Sequence, residues 1–230
     1  MPATTIVFDL DGTLIETAPD LIDTLNLILG QHGVPAVAFD DARAMIGAGV
    51  KPLLQRALAS KGLRFAPDEI DTLYAEYLEL YAAHIADRSR PFPGLEAALD
   101  ALAADGCILA VCTNKLEWLS VLLLDKLALS PRFAAICGAD TFAMRKPDPE
   151  MLRLTIAKAG GNPAQAVMVG DSITDVATAK AARIPVVAVD FGYTDIPPAQ
   201  LGADRLIGHF DGLVAAVKEL LPAGAFAMRN

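Results

Sequence analysis

Two aspartates one residue apart, Asp9 and Asp11, end a short apolar run and are followed at once by Gly12 and Thr13. The run over residues 4–8 is apolar and partly β-branched, which predicts a buried strand. The carboxylates then fall where the strand stops and the chain turns. In open parallel sheets that edge is where ligands bind. Carboxylates this close repel each other, so they are tolerated together when a cation is shared, a proton is kept, or both. The chemistry on offer is a metal site or an acid/base pair. The competing reading is a solvated Asp-Gly turn. A calcium loop of the EF-hand type fails on spacing, because it needs glycine at its sixth position and glutamate at its twelfth. Counted from Asp9, Gly12 is fourth and the twelfth residue is Asp20.

Two later strand ends repeat the theme. Leu109-Ala110-Val111-Cys112 runs into Thr113-Asn114-Lys115, and Val167-Met168-Val169 runs into Gly170-Asp171-Ser172, with Asp175 close behind. Between them lies Arg145-Lys146-Pro147-Asp148-Pro149, whose prolines predict a rigid loop that hands Lys146 to a fixed place and starts a helix. A parallel sheet puts these ends on one edge. That edge gathers four carboxylates, a hydroxyl, an amide and a lysine. The excess negative charge calls for a divalent cation. Carboxylate and carbonyl oxygens suit magnesium, which commonly also holds a phosphate oxygen. The composition therefore points to phosphoryl transfer.

The elements that must position these residues can be read from periodicity. Leu21, Ile22, Leu25, Ile28 and Leu29 follow helical spacing, with Thr17 as the expected cap and Gly33-Val34-Pro35 as the stop. Residues 40–87 continue as helices, with Leu53, Leu54, Ala57 and Leu58 on one face and Leu73, Tyr74, Tyr77, Leu78 and Tyr81 on another. Arg90-Pro91-Phe92-Pro93-Gly94 then reads as a stiff connector. Past it, strands predicted at 107–112, 134–137, 166–169 and 186–189 alternate with helices at 95–104, 117–127, 149–159, 175–182 and 210–221. Such alternation predicts a parallel sheet covered by helices. The expected fold is α/β, a doubly wound parallel sheet with an inserted helical domain. Its expected division is a core of 1–15 and 91–230 and a helical insertion of 16–90. The tail after Pro222 is expected to fray. Trp118 and Met168 are expected in the core, and His32, His84 and His209 in surface or packing roles.

Bulk properties narrow the function. The chain has 230 residues, is 53% hydrophobic and carries a net charge of −9. That charge argues against a nucleic-acid groove or an anionic membrane surface, and no apolar run is long enough to span a membrane. Cys107, Cys112 and Cys137 lack metal-ligand spacing and read as small buried residues of a reduced compartment. The N-terminus lacks a signal-peptide pattern. The expectation is a cytoplasmic protein, monomer or homodimer.

The segments Asp9-Leu10-Asp11-Gly12-Thr13, Thr113, Lys146 and Gly170-Asp171-Ser172 with Asp175 together resemble the four ordered motifs of the haloacid dehalogenase-like superfamily of phosphatases. The resemblance spans essentially the whole chain. It implies that the helical insertion is a mobile cap. Through Thr17-Ala18-Pro19-Asp20-Leu21, Ile46-Gly47-Ala48-Gly49, Phe92-Pro93-Gly94, Thr113-Asn114-Lys115 and Arg145-Lys146-Pro147-Asp148-Pro149, the chain is most similar to the bacterial phosphoglycolate phosphatase branch. The implied reaction is hydrolysis of a small phosphate monoester, foremost 2-phosphoglycolate, with Mg2+.

By that resemblance Asp9 is the nucleophile and Asp11 the proton donor and acceptor, helped to hold its proton by neighbouring negative charge. Lys146 offsets charge on Asp9 and the phosphate. Thr113 and the Asn114 amide hold phosphate oxygens. Asp9, the Asp11 carbonyl and Asp171 bind the metal, and Asp175 orients Lys146 or a water on the metal. The substrate carboxylate needs a cap cation, for which Arg43 and Lys51 are the candidates. The rivals are other capped phosphatases, acting on pyrophosphate, nucleotides or sugar phosphates, and a non-enzymatic binding module of the same fold. The dehalogenase branch lacks the second aspartate, here Asp11. A phosphonate-cleaving relative needs a cap lysine in a context that neither Lys51 nor Lys61 provides.

Overall fold

The computed structural model of the protein describes residues 3–221. The first strand forms as β1 (Thr5–Phe8), and β2 (Ile15–Glu16) follows the turn that carries both aspartates. Helices α1 (Ala18–Gln31), α2 (Phe39–Arg43), α3 (Val50–Ser60) and α4 (Pro67–His84) then lie between β2 and β3 (Arg90–Pro91). The rest alternates: α5 (Leu95–Ala104), β4 (Ile108–Cys112), α6 (Glu117–Lys126), β5 (Ala135–Cys137), α7 (Pro149–Lys158), β6 (Ala166–Gly170), α8 (Ile173–Ala182), β7 (Val186–Val189), β8 (Arg205–Ile207) and α9 (Leu213–Leu220).

Six strands form one parallel sheet in the order β5-β4-β1-β6-β7-β8. The chain winds outward from β1 through β4 and β5, then crosses to the other side through β6, β7 and β8. The strand order therefore reverses beside β1, the place where doubly wound sheets open a crevice. Because side chains alternate across a strand, Ile6 and Phe8 join one apolar layer with α5, α6 and α9, while Val7 joins the other with α7 and α8. The first layer runs on without a break into the buried faces of α1, α3 and α4. Burial on both faces explains why these strands read as continuous apolar runs.

Some expectations need correction. Trp118 is 47% exposed, not in the core. Its neighbours Leu119, Leu123 and Leu124 face the sheet, and one step along the helix turns the indole to the solvent side. The Thr17 side chain caps nothing; Tyr193 Oη instead accepts from the backbone N–H of Thr17 at 2.6 Å and of Ala18 at 2.8 Å. The 90–94 connector is partly strand, with Arg90 opposite Glu16 and Pro91 opposite Ile15. The predicted last helix opens with a 3-10 turn at Phe210–Gly212. The stretch after Pro222 lies outside the described residues.

Where the chain enters and leaves the helical block, it is pinned by one buried carboxylate. Asp20, 3% exposed, accepts from the N–H groups of Arg88 (3.0 and 3.1 Å) and Ser89 (2.8 Å) and from Ser89 Oγ (2.6 Å). This ties the start of α1 to the segment after α4. Removing the acceptor strands buried donors, each costing about 1–3 kcal/mol. Asp20→Ala is therefore expected to destabilise the fold by about 2–4 kcal/mol, read as a lower urea midpoint. A change below about 0.5 kcal/mol, the usual effect of a surface substitution, contradicts this reading.

Candidate active site

The sheet's hydrogen bonds continue one residue past the strands and so deliver the site residues to its rim. Asp9 N–H donates to Val169 O at 2.9 Å, and Thr113 N–H donates to Cys137 O at 3.0 Å. After Asp9 the chain folds back on itself: the N–H groups of Leu14 and Ile15 both donate to Leu10 O at 3.0 Å. Gly12 takes φ +82° in this turn, and a Cβ there would lie 2.5 Å from Asp171 Oδ2. Glycine is required on both counts. The 145–149 loop is fixed as expected, with Asp148 capping α7 through Glu150 N–H at 2.9 Å and Pro149 in the first helical turn.

Lys146 is the centre of the cluster. Its Nζ lies 2.8 Å from Asp9 Oδ1 and 2.6 Å from Asp175 Oδ1, and its side chain is 1% exposed. Burial alone would lower its pKa, but the Asp175 and Asp9 carboxylates outweigh this and raise it, so it stays charged. Asp175 spends its other oxygen on the N–H groups of Asp171 (3.2 Å) and Ser172 (3.1 Å) and on Ser172 Oγ (2.6 Å), the capping box of α8. One carboxylate thus both starts a helix and aims the lysine. Asp171 accepts from Thr13 Oγ1 at 2.8 Å and from Tyr193 N–H at 2.6 Å.

Carboxylate oxygens of Asp9, Asp171 and Asp175 lie within 4.8 Å of one another, all buried. Burial, aided by Asp175 and opposed by Lys146, raises the Asp9 pKa to about 6. Burial with the Asp175 and Asp9 charges raises that of Asp171 to about 8. Asp9 Oδ1 has Lys146 Nζ, 2.8 Å away, as its partner, and is otherwise buried without a donor. An under-satisfied buried oxygen beside hard oxygen donors and excess negative charge fits a divalent cation such as Mg2+. Asp9 has Lys146 beside it and Asp171 accepts one hydrogen bond on each oxygen, so both keep lone pairs to offer, whereas Asp175 is the most heavily engaged, with Lys146 on one oxygen and three donors from Asp171 and Ser172 on the other.

The remaining candidates divide. Thr113 is buried beside Asn114, and Asn114 Nδ2 donates to Lys146 O at 3.2 Å. Both line a cavity of about 130 Å³ whose floor includes Asp9 and Asp11 and whose roof comes from the 46–49 loop, the first turn of α3, Tyr74 and Tyr81. Lys51 lines its mouth, but Nζ is 2.5 Å from Asp71 and nearly half exposed. Arg43 does not reach this cavity. Its guanidinium donates to Phe191 O at 3.0 Å and lies 4.7 Å over the Tyr193 ring, held there by shape and cation–π attraction. Asp11 also departs from expectation: a cation faces it rather than another carboxylate. Lys115 Nζ lies 3.0 and 3.1 Å from its two oxygens and 2.9 Å from Tyr81 Oη.

Sequence reasoning missed Lys115, Tyr81 and the loop after β7. That loop is a further strand end on the same rim, and Phe191-Gly192-Tyr193 follows it directly. A Cβ on Gly192 would lie 2.1 Å from Asp171 Cβ, so backbone is pressed against the carboxylate.

Against this geometry the comparisons with known proteins are consistent. Residues 6–189 match the family model described as haloacid dehalogenase-like hydrolase. A phosphoglycolate phosphatase of Caulobacter vibrioides is 47% identical over 206 residues, covering 90% of this chain and 87% of that one. One of Agrobacterium fabrum is 45% identical over 222 residues, covering 96% and 95%. A crystal structure described as a predicted phosphoglycolate phosphatase from Haemophilus somnus superposes with a TM-score of 0.87 at 30% identity, covering 93% of this chain and 97% of that chain. The chain belongs to the haloacid dehalogenase-like hydrolases. Within that family it is a phosphatase.

Two outcomes are expected. Because Asp9 and Asp171 have raised folded pKa values, their contribution to stability is complete below 3.8 and is lost as pH rises through about 6 and about 8. Mg2+ should therefore raise Tm more at about pH 9 than at about pH 5. At a hundredfold excess over Kd the rise is about 2.7 kcal/mol, or about 5–10 °C by calorimetry for a chain of this size. Equal shifts at both pH values contradict the reading. Gly192→Ala must displace Asp171 and is expected to raise the Mg2+ concentration for half-activation by about tenfold or more; an unchanged Mg2+ curve overturns this.

Proposed function

We propose that the protein hydrolyses 2-phosphoglycolate to glycolate and phosphate, with Asp9 as nucleophile and Mg2+ as cofactor. The observation that supports this most is a buried carboxylate, Asp9, held beside a buried lysine on the floor of a small cleft that a helical block covers. The similar proteins named phosphoglycolate phosphatase support this choice of substrate. A cavity of about 130 Å³ suits a small ester.

In this reading Asp9 attacks phosphorus, forming an aspartyl phosphate and releasing the glycolate oxygen. Asp11 turns from Lys115, takes up a proton from solvent as its counter-charge is lost, gives that proton to the leaving oxygen, and later takes one from the water that cleaves the acyl phosphate. Thr113 Oγ1 and the Asn114 amide hold phosphate oxygens, and Lys146, aimed by Asp175, stays between the nucleophile and the incoming anion. Asp9, the Asp11 carbonyl and Asp171 would hold Mg2+, which when bound supplies positive charge against the phosphate dianion. Residues 16–90 would act as a cap that excludes water, moving against a core of 1–15 and 91–230 about the β2–β3 pair. The free cysteines, with Cys112 opposite Cys137 on adjacent strands yet unbonded, suit a reducing cytoplasm. Among the described residues no helix is long and apolar enough to cross a membrane. The protein would work as a monomer or homodimer.

A Mg2+-dependent panel of phosphoglycolate, pyrophosphate, sugar phosphates and nucleotides, ranked by kcat/KM, tests the substrate. Phosphoglycolate is expected first, and another ester ahead by tenfold overturns it. Asp9→Asn is expected to lower kcat at least about a thousandfold, and Asp11→Asn by about a hundredfold or more. Near-normal turnover in either contradicts the assigned role.

A further inference from the structure

We propose that Lys115 is the counter-ion for the substrate's carboxylate. This rests on the phosphoglycolate reading and deepens it. An ester of that kind brings a carboxylate as well as a phosphate into a cleft already lined by Asp9 and Asp11. Lys146 cannot serve the carboxylate, since Asp9 and Asp175 already engage it at 2.8 and 2.6 Å. Of the cations expected from sequence, Arg43 lies outside the cavity, and Lys51 stands at its mouth, paired to Asp71 and half in solvent. Arg145 lines the cavity but is exposed.

Lys115 differs from all of these. Its side chain is 4% exposed, yet it lines the cavity. It stands directly after Thr113 and Asn114, so a phosphate held there places a two-carbon acid within its reach. Its ammonium is spent on the two oxygens of Asp11 and on Tyr81 Oη. An entering carboxylate can take the place of the Asp11 carboxylate at no change in the number of opposed charges, whereas an uncharged group in that place leaves a buried ammonium unpaired. The exchange frees Asp11 to turn to the leaving oxygen. Tyr81, on α4, keeps the third contact, so the subsite is complete only with the helical block closed over the core.

The test compares 2-phosphoglycolate with ethyl phosphate, which has the same leaving-group length and no carboxylate. In the wild-type protein kcat/KM is expected to favour phosphoglycolate strongly. Lys115→Met and Lys115→Gln should each lower that ratio at least tenfold, chiefly through KM for phosphoglycolate, and Lys115→Arg should recover part of it. A lysine that merely holds Asp11 in place would slow both esters alike, so a ratio that survives in the folded variants overturns the proposal and leaves the phosphoglycolate reading intact. A wild type with no preference overturns that reading and this one with it. Should the variants fail to fold, wild-type inhibition decides: glycolate should inhibit at least tenfold better than ethylene glycol, and parity overturns the carboxylate subsite.

Discussion

Three buried carboxylates around one buried ammonium are the constraint on which the rest of this structure depends. Asp9, Asp171 and Asp175 approach within 4.8 Å while Lys146 supplies a single positive charge among them. Taking such groups out of water costs several kcal/mol each unless charge and hydrogen bonds are restored. The chain restores them with backbone: N–H groups of Asp171, Ser172 and Tyr193 all point at this cluster. Gly12, Gly170 and Gly192 let that backbone come close enough. What remains is an under-satisfied Asp9 oxygen and surplus negative charge, which is the state that a phosphotransfer site using a divalent ion needs before the ion and the ester arrive.

The same economy governs how the helical block is attached. One apolar layer runs from the sheet into α1, α3 and α4, so the block is not an independent module hung on a linker. Its two connections are held by Asp20 on one side and by Tyr193 on the other. Tyr193 links the regions through both ends: its N–H binds Asp171, and its hydroxyl accepts from the start of α1 and donates to Glu16 at 2.8 Å. A residue that orients a carboxylate of the rim also sets the first turn of the first covering helix. Lys115 makes a second link, from the core loop to Tyr81. The block and the rim are thus tied to each other through two tyrosines.

Much of this was legible in the sequence. The two-sided burial of the central strands gives continuous apolar runs, and their abrupt ends in Asp9, Thr113 and Asp171 mark one edge. Helix α5 and strand β7 fall at the residues that the sequence pattern indicates. What stayed hidden is local or long-range. Strands β2, β3 and β8 are two or three residues long, too short to show a period. Residue type alone assigns Trp118 to the core, although a helix presents its side chains to both core and solvent. Proximity to a glycine loop in sequence points to Arg43 and Lys51, whereas the cation buried in the cleft wall, Lys115, comes from the segment after β4. The Asp11–Lys115 contact spans 104 residues, and the Thr17–Tyr193 contact spans 176. No periodicity carries such pairings.

The central claim, that Asp9 itself attacks phosphorus, is tested most directly by stopping turnover of 2-phosphoglycolate with acid within its first cycle and mapping the peptides by mass spectrometry. The account predicts a phosphoryl group on the peptide containing Asp9, absent when the ester is omitted. Turnover that leaves that peptide unmodified at every quench time, or that phosphorylates a different residue, would contradict it.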